Sequence, residues 1–436
     1  ARSSMSKMRS AASDGEASSS VSKDSLLGTA GPRDISTRDK HDQQHSRKHP
    51  PTKKKTIQIS LIHSLSHTQI LHEAMEFIHR DRDVLLQALL KWCGIFHGAH
   101  RGALSSFLSV LPPKVGTRKL LERFHDGEYL DLLEPPSLKG DASNLPSECC
   151  QSMEGHQDLS CNSNDTIHME EQSEVDDNEA SNLFKIPLSP PPPVESYLQP
   201  PSDEILSKYG LEDDCPYPLT RQAQTLLWKY CLAISGASWH AASLLTASEH
   251  KHQTDVAIHW GGGRHHAHAN KAGGFCYVSD VVLAIQRLLH GHDGGIDDGM
   301  LEADRISIQR NISFRRILYI DIDIHHADAV QAAFYDTDQV LTASFHRHSP
   351  GFFPSCSGSS REKGEAATRG FGYNLNVPLP AGVGDVQFLR IYRKTVFGLV
   401  KAYDPHAVVL CVGADGLEGD ELVSGGLDGE SVSGEG

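Results

Sequence analysis

Through the second half of the chain, short apolar blocks alternate with longer amphipathic stretches. DVAIHW (255–260) predicts a strand running into a glycine loop. SDVVLAIQRLL (279–289) predicts an amphipathic helix, with Ser279 placed to cap its start. RILYIDID (316–323) reads as the next strand and ADAVQAAFY (327–335) as the next helix. VLTASF (340–345) and NLNVPLP (374–380) are further strands, VQFLRIYRKTVFGLVKAY (386–403) a helix, and AVVLCVGAD (407–415) a strand again. Strand-loop-helix repetition of this kind predicts an α/β single domain with a mainly parallel sheet flanked by helices on both faces.

Upstream the pattern differs. Between Thr56 and Leu133 it is helical: EAMEFIHRDRDVLLQALLKWCGIF spaces Phe77, Ile78, Val84, Leu85, Ala88, Leu89 and Trp92 close to one helical face, and TRKLLERFHDGEYLDLL does likewise. Residues 1–55 lack apolar periodicity and read as a disordered basic arm. The run SRKHPPTKKK at its end is either a solvated tail or a nuclear-localisation patch. Residues 134–201, with EEQSEVDDNEASN and SPPPPVE, form an acidic, proline-rich disordered insertion; 291–313 is a second polar insertion, and 421–436 a disordered tail. The ordered domain is therefore 56–133 together with 202–420.

Composition narrows the class. A net charge of −15 argues against a general nucleic-acid-binding surface. No apolar run approaches the roughly 18 residues of a membrane span. The 9 cysteines form no regular framework and no CxxC pair, which fits reduced thiols.

The chemistry concentrates where strands end. Ile317 to Ile320 suit a strand covered on both faces, yet Asp321, Asp323, His325 and Asp328 follow at once. Burying them unpaired would cost several kcal/mol each, so a metal, ion pairs or simple exposure must compensate. Ligands of parallel α/β sheets sit beyond the carboxyl ends of the strands. Three strands deliver polar groups there: GGGRHHAHANKAGGFCY with His265, His266 and His268; DIDIHHAD; and VGAD with Asp415. Alternate residues of an extended chain share a side, which would bring Asp321, Asp323 and His325 together. One imidazole and two carboxylates suit zinc or iron(II) with an open position for water. His268 reads equally as a ligand or as an exposed loop residue. Gly261–Gly263 read as a tight turn, because no GxGxxG or P-loop lysine accompanies them.

In order along the chain, HWGGGRHHAHANKAGGFCYVSD, DIDIHHADAVQAAFY, HRHSPGFFP, NLNVPLPAGVGD and GADGLEGD resemble the motif series of zinc-dependent class I histone deacetylases, which share the arginase/deacetylase fold. FHDGEYLDLL and YGLEDDCP fit the upstream part. Within the class, Arg264 and Lys271 are similar to the fungal Hos-type or deacetylase-8-like branch. The resemblance implies Asp323, His325 and Asp415 as zinc ligands. It implies His265 and His266 as the tandem acid/base histidines, with Asp321 and Asp328 as their carboxylate partners. Asp214 matches a rim carboxylate that holds the substrate backbone, Phe275 and Phe353 the walls of an acyl-lysine tunnel, and Gly274 its floor. A potassium ion is implied at Asp321, Asp323, His325, Ser344 and Phe345, and a second at Phe334, Thr337, Val340 and Tyr373. The implied reaction is hydrolysis of N-ε-acetyl-lysine in histone tails or other proteins, in the nucleus and also the cytoplasm. A corepressor complex is implied as partner, and neither nucleic acid nor membrane is.

The resemblance breaks after Asp415. The family continues with a glycine-rich loop bearing an oxyanion-donating tyrosine; here the chain runs GLEGDELVSGGLDGESVSGEG, so the fold is expected to be C-terminally truncated. Tyr373 precedes a strand and does not fill that role. Ala327 and Ala329 stand where the family has glycine, which would strain any position needing positive φ. Three readings follow: a class I deacetylase whose C-terminus is altered by intron read-through, a truncated zinc and acetyl-lysine binding protein with little turnover, or an acetylpolyamine amidohydrolase.

Overall fold

The computed structural model describes residues 57–74, 88, 107–139, 197–246, 254–291 and 313–417. The predicted arm, most of both insertions, the tail and nearly all of the 75–106 helical pattern lie outside the described residues. The strands are β1 (Ile59–Ile62), β2 (Leu108–Leu111), β3 (Val256–His259), β4 (Ile317–Asp321), β5 (Val340–Arg347), β6 (Asn374–Leu379) and β7 (Ala407–Cys411). The helices are α1 (Leu65–Ala74), α2 (Arg118–Leu121), α3 (Gly127–Leu133), α4 (Asp203–Lys208), α5 (Arg221–Thr246), α6 (Asp280–His290), α7 (Asp328–Ala333) and α8 (Asp385–Tyr403).

Every ladder between these strands is parallel. They form two sheets, β2-β1-β3 and β6-β5-β4-β7. In the second, alternation along β4 sends Ile317 and Tyr319 to one face and Leu318 and Ile320 to the other. The first pair packs with Val281, Val282, Ile285 and Leu288 of α6 and Val330 of α7. The second packs with Leu341, Ala343 and Phe345 of β5, against Phe388, Ile391 and Tyr392 of α8. Helices thus cover both faces, as the strand-helix alternation predicts. β4, central in its sheet, has all five residues buried, which its continuous apolar run requires.

The observed bounds match the prediction closely for α6, where Ser279 Oγ accepts a hydrogen bond from Val282 N at 3.3 Å, and for β5 and β6, whereas β4 and β7 stop short, at Asp321 and Cys411, ahead of the polar residues that follow. Two features departed from the reading. ISLI and LSVL, within the stretch read as helical, are strands paired in register, Ile59 opposite Leu108. Four-residue apolar runs do not separate strand from helix by periodicity. The longest described helix, α5, was not anticipated. It is buried on nearly all sides, from Leu227 through Ala242, so it lacks the one-sided stripe that marks an amphipathic helix.

Ala327 has φ −74°, and neither Ala327 nor Ala329 is among the positive-φ residues, so the alanines in HHADA carry no such strain.

Candidate metal centre and tunnel

β4 hydrogen bonds on both sides, to β5 and β7, and its carboxyl end opens beside theirs. The strand stops at Asp321, and the next residues form bends. That stop decides the chemistry. Past it the strict alternation lapses, so Asp321 parts from Asp323 and His325 where an extended chain would align all three.

Asp321 is fully buried and turned toward the imidazole loop. Its Oδ2 accepts from His265 Nδ1 at 2.7 Å and from the Tyr319 hydroxyl, and its Oδ1 accepts from Asp323 N at 2.9 Å. Asp323, His325 and Asp415 instead converge, with ligand atoms all within 4.8 Å of one another. His325 Nδ1 lies 2.9 Å from Asp415 Oδ2 and 3.2 Å from Asp323 Oδ1. Two carboxylate oxygens thus point at one ring nitrogen, which has a single proton to give. Burial alone would lower the His325 imidazole, yet the two carboxylates lift it to about 9. Burial likewise opposes charge on Asp323, but His265 and His325 hold its carboxyl well below the usual range. These three residues could hold a divalent cation, with nitrogen and oxygen ligands suited to zinc. Space for it depends on Gly413, where a Cβ would fall 2.1 Å from Asp323 Oδ2 and 2.7 Å from Asp415 Oδ1.

The tandem imidazoles stand beside this cluster in different states. Burial works against charge on His265, but Asp321 and then Asp323 raise its pKa well above the ordinary value; its Nε2 lies 3.8 Å from Asp323 Oδ1. His266 is pushed down to about 4, by burial and then by the charge of His265, although its Nδ1 is bonded to Asp328 Oδ1 at 2.7 Å. The two surroundings thus pull in opposite directions, the carboxylates favouring the charged form of His265 and burial the neutral form of His266. Asp328 also accepts from His268 Nε2 at 3.1 Å, so His268 joins the carboxylate partner and not the ligand cluster. A second buried group, His265, Asp321 and Cys411, is equally compact. There the imidazole and carboxylate are already bonded to each other, and burial raises the Cys411 thiol far above its usual value. It is a backed proton-holding pair.

Aromatic rings pack against the imidazoles. Phe353 meets His266 edge-on with centroids 4.9 Å apart, and Phe352 stacks on His325 at 5.0 Å with an interplanar angle of 4°. The Arg347 guanidinium lies 4.5 Å over the far ring, Phe352. Gly274, at φ +52°, packs so closely that a Cβ would sit 2.4 Å from His266 Cδ2 and 3.0 Å from Phe353 Cε1. Phe275 follows at φ +62°, an uncommon conformation for a bulky residue. Asp214 Oδ2 accepts from Gly274 N at 2.7 Å, tying the EDDCP loop to this wall. Ser344 and Phe345 lie on β5, Ser344 in register with Asp321. Tyr373 packs with the α8 face of the sheet and meets Tyr403 edge-on at 5.8 Å, so it belongs to the core on that side.

Sequence reasoning brought forward the three converging residues and both imidazole-carboxylate pairs. It missed Gly413, Tyr319 and the stacking role of Phe352. None of the three left a signal in the sequence that separates it from an ordinary loop glycine or core aromatic.

The histone deacetylase domain profile matches residues 83–433. Histone deacetylase 6 of Arabidopsis thaliana is 40% identical over 228 residues, covering 52% of this chain and 41% of that protein. Histone deacetylase B of Dictyostelium discoideum is 39% identical over 218 residues, 50% of this chain and 43% of the relative. Histone deacetylase 1 of Homo sapiens is 37% identical over 217 residues, 50% and 38% respectively. The chain spans about two-fifths of the length of these curated relatives.

Proposed function

This chain belongs to the histone deacetylase domain family, and from that premise we propose that it hydrolyses N-ε-acetyl-lysine in histones or other proteins, with zinc held by Asp323, His325 and Asp415. The observation that carries the reading is the convergence of two carboxylates on one nitrogen of His325, beside two imidazole-carboxylate pairs, His265–Asp321 and His266–Asp328. When bound, zinc supplies Lewis acidity toward the acetamide carbonyl and acidifies water.

The chain's own residues do the rest. His266, neutral near pH 7, takes a proton from the attacking water at its Nε2, while Asp328 on Nδ1 stabilises the imidazolium as it forms. The same imidazolium returns the proton to the departing lysine amine. His265 is held in place by Asp321 on its Nδ1, and the Asp321 and Asp323 carboxylates favour its protonated form, which would place positive potential where negative charge develops. Phe353 and Phe275 wall the passage for the neutral acyl-lysine stem, with Gly274 leaving room at its floor. Asp214, already bonded to Gly274 N, keeps an oxygen for a substrate backbone amide. Potassium is proposed beside Asp321, Asp323, His325, Ser344 and Phe345, of which Asp321 and Ser344 are opposite one another on paired strands and Asp323 and His325 follow in the bend. The second potassium position stays with Phe334, Thr337, Val340 and Tyr373.

Acetylated histone tails are the proposed macromolecular substrate, a corepressor complex the setting, and the nucleus the place. Among the described residues no helix is long and apolar enough to cross a membrane. The test is zinc content and hydrolysis of an acetyl-lysine peptide by the purified chain and by Asp323→Ala. One zinc per wild-type chain, with none retained by the variant, and peptide turnover by wild type alone are expected. A chain that binds no zinc, or a zinc-loaded chain that cleaves acetylpolyamine but not peptide, overturns the reading.

A further inference from the structure

The tandem imidazoles sit on the loop between β3 and α6, and loops are ordinarily the more mobile parts of a fold. Here the loop is held on both sides by side chains outside the proposed metal centre. On the upstream side Asp280, the first residue of α6 and 1% exposed, turns its carboxylate back. Its Oδ1 accepts from Arg264 N at 2.8 Å and its Oδ2 from Gly263 N at 3.2 Å. These are the two residues immediately before His265.

The carboxylate is itself oriented by a line of side chains. Ser238 of α5 donates its hydroxyl proton to Asp280 Oδ2. With that proton committed, Ser238 Oγ accepts from His259 Nδ1–H at 2.8 Å. His259 Nε2 is then the acceptor for His67 Nε2–H, 3.0 Å away on α1. Every proton in the line has one consistent assignment with both imidazoles neutral. Burial lowers both, His67 to about 4.

On the downstream side His125 acts through its two nitrogens. Nδ1–H donates to the carbonyl of His268 at 3.1 Å, and Nε2 accepts from Ser279 N at 3.0 Å, the residue that caps α6. Next to it, Asp126 N donates to the carbonyl of Ala269 at 2.8 Å. The backbone on either side of His265 and His266 is thus fastened to the start of α6.

We propose that Asp280 and His125 are positioning residues, which set where the two imidazoles stand relative to Asp323 by clamping the loop backbone at Gly263–Arg264 and at His268. Its kinetic consequence rests on the deacetylase reading; its structural content does not. A displacement of about 1 Å at such a site costs on the order of 10²-fold in rate.

The test uses the full, zinc-loaded chain with Asp280→Asn, which sets an amide NH₂ against backbone donors, and His125→Ala, with His125→Gln as the conservative partner. Expected for Asp280→Asn and His125→Ala are a kcat lowered roughly 10- to 100-fold with KM within about 3-fold. Zinc content stays at the wild-type value, and hydrogen exchange of the Gly263 and Arg264 amides in Asp280→Asn is faster by about 10-fold or more. His125→Gln, which keeps a donor and an acceptor, recovers part of the loss. A folded Asp280→Asn with wild-type kcat and wild-type exchange at those amides overturns the clamp. Should Asp280→Asn fail to fold, Ser238→Ala decides: it leaves the carboxylate in place but unanchored, and unchanged exchange at Gly263 and Arg264 overturns the proposal. If the wild-type chain itself turns over no peptide, the deacetylase reading falls, and amide exchange alone decides the clamp.

Discussion

At the scale of single residues, the proposed metal site depends as much on what is missing from one side chain as on the three that converge. Gly413 lets the Asp323 and Asp415 carboxylates meet across its Cα. Gly413→Ala would drive a methyl into Asp323 Oδ2, and neither carboxylate is the far end of a flexible chain. Zinc affinity is expected to fall by about 10-fold or more, roughly 1.4 kcal/mol, with the fold of the metal-free chain retained. Competition with a chromogenic chelator measures the first and circular dichroism the second; unchanged affinity would show that the carboxylates do not meet at Gly413. The ligand types were legible because acids and an imidazole at the end of an apolar strand demand compensation. Gly413 was not, because a glycine needed for close approach reads like any loop glycine until its neighbours are known. The same holds for Tyr319, an ordinary strand aromatic whose hydroxyl proves to hold Asp321.

At the scale of elements, β4 and β7 show how position in a sheet sets the value of an apolar residue. Leu318 and Val408 are opposite one another in register, yet Leu318 is fully buried and Val408 is 49% exposed. The difference is that β4 lies between two strands under α8, whereas among the described residues β7 has a strand partner on one side only, with Leu410 exposed as well. Leu318→Ala is expected to cost about 2–5 kcal/mol and Val408→Ala within about 0.5 kcal/mol. Urea midpoints at unchanged slope would show both, and equal losses would contradict the placement of β7. Strand and helix order from β3 to β7 was legible because each element is bounded by turns and keeps one period. α5 was not, because burial all round erases the stripe that periodicity detects. β1 and β2 were not, because a four-residue run carries too little pattern.

At the scale of the whole molecule, the question is how 26 histidines and a net charge of −15 respond to acid. The two features predict opposite outcomes. Protonation from pH 7 downward relieves the excess negative charge and should stabilise the compact state. Buried neutral imidazoles predict the reverse. Burial pushes His67, His125, His240 and His346 each down to about 4, against 6.5 when unfolded. A depressed folded pKa gives stability that is complete above the unfolded value and is lost as pH falls toward the folded one, because unfolding takes up protons in that window. Each such group contributes a slope of up to about 1.4 kcal/mol per pH unit. The depressed carboxylates Asp323 and Asp328 act in the same direction only at lower pH, below the ordinary carboxylate value of 3.8. Surface charge is screened over roughly 8 Å at physiological salt, while buried imidazoles are not, so the imidazoles are expected to win. In the metal-free chain the melting temperature should fall steadily from pH 6.5 toward 4, at low and high salt alike, and decline also above pH 7, where His265 and His325, both raised in the folded chain, give up the stability their protonated forms contribute. His125→Gln should flatten that fall by about one proton's worth. A melting temperature that holds level or rises between pH 6.5 and 5 would mean that these imidazoles are exchanging protons with solvent in the folded chain, and the neutral His67–His259–Ser238 line proposed behind Asp280 would lose its support.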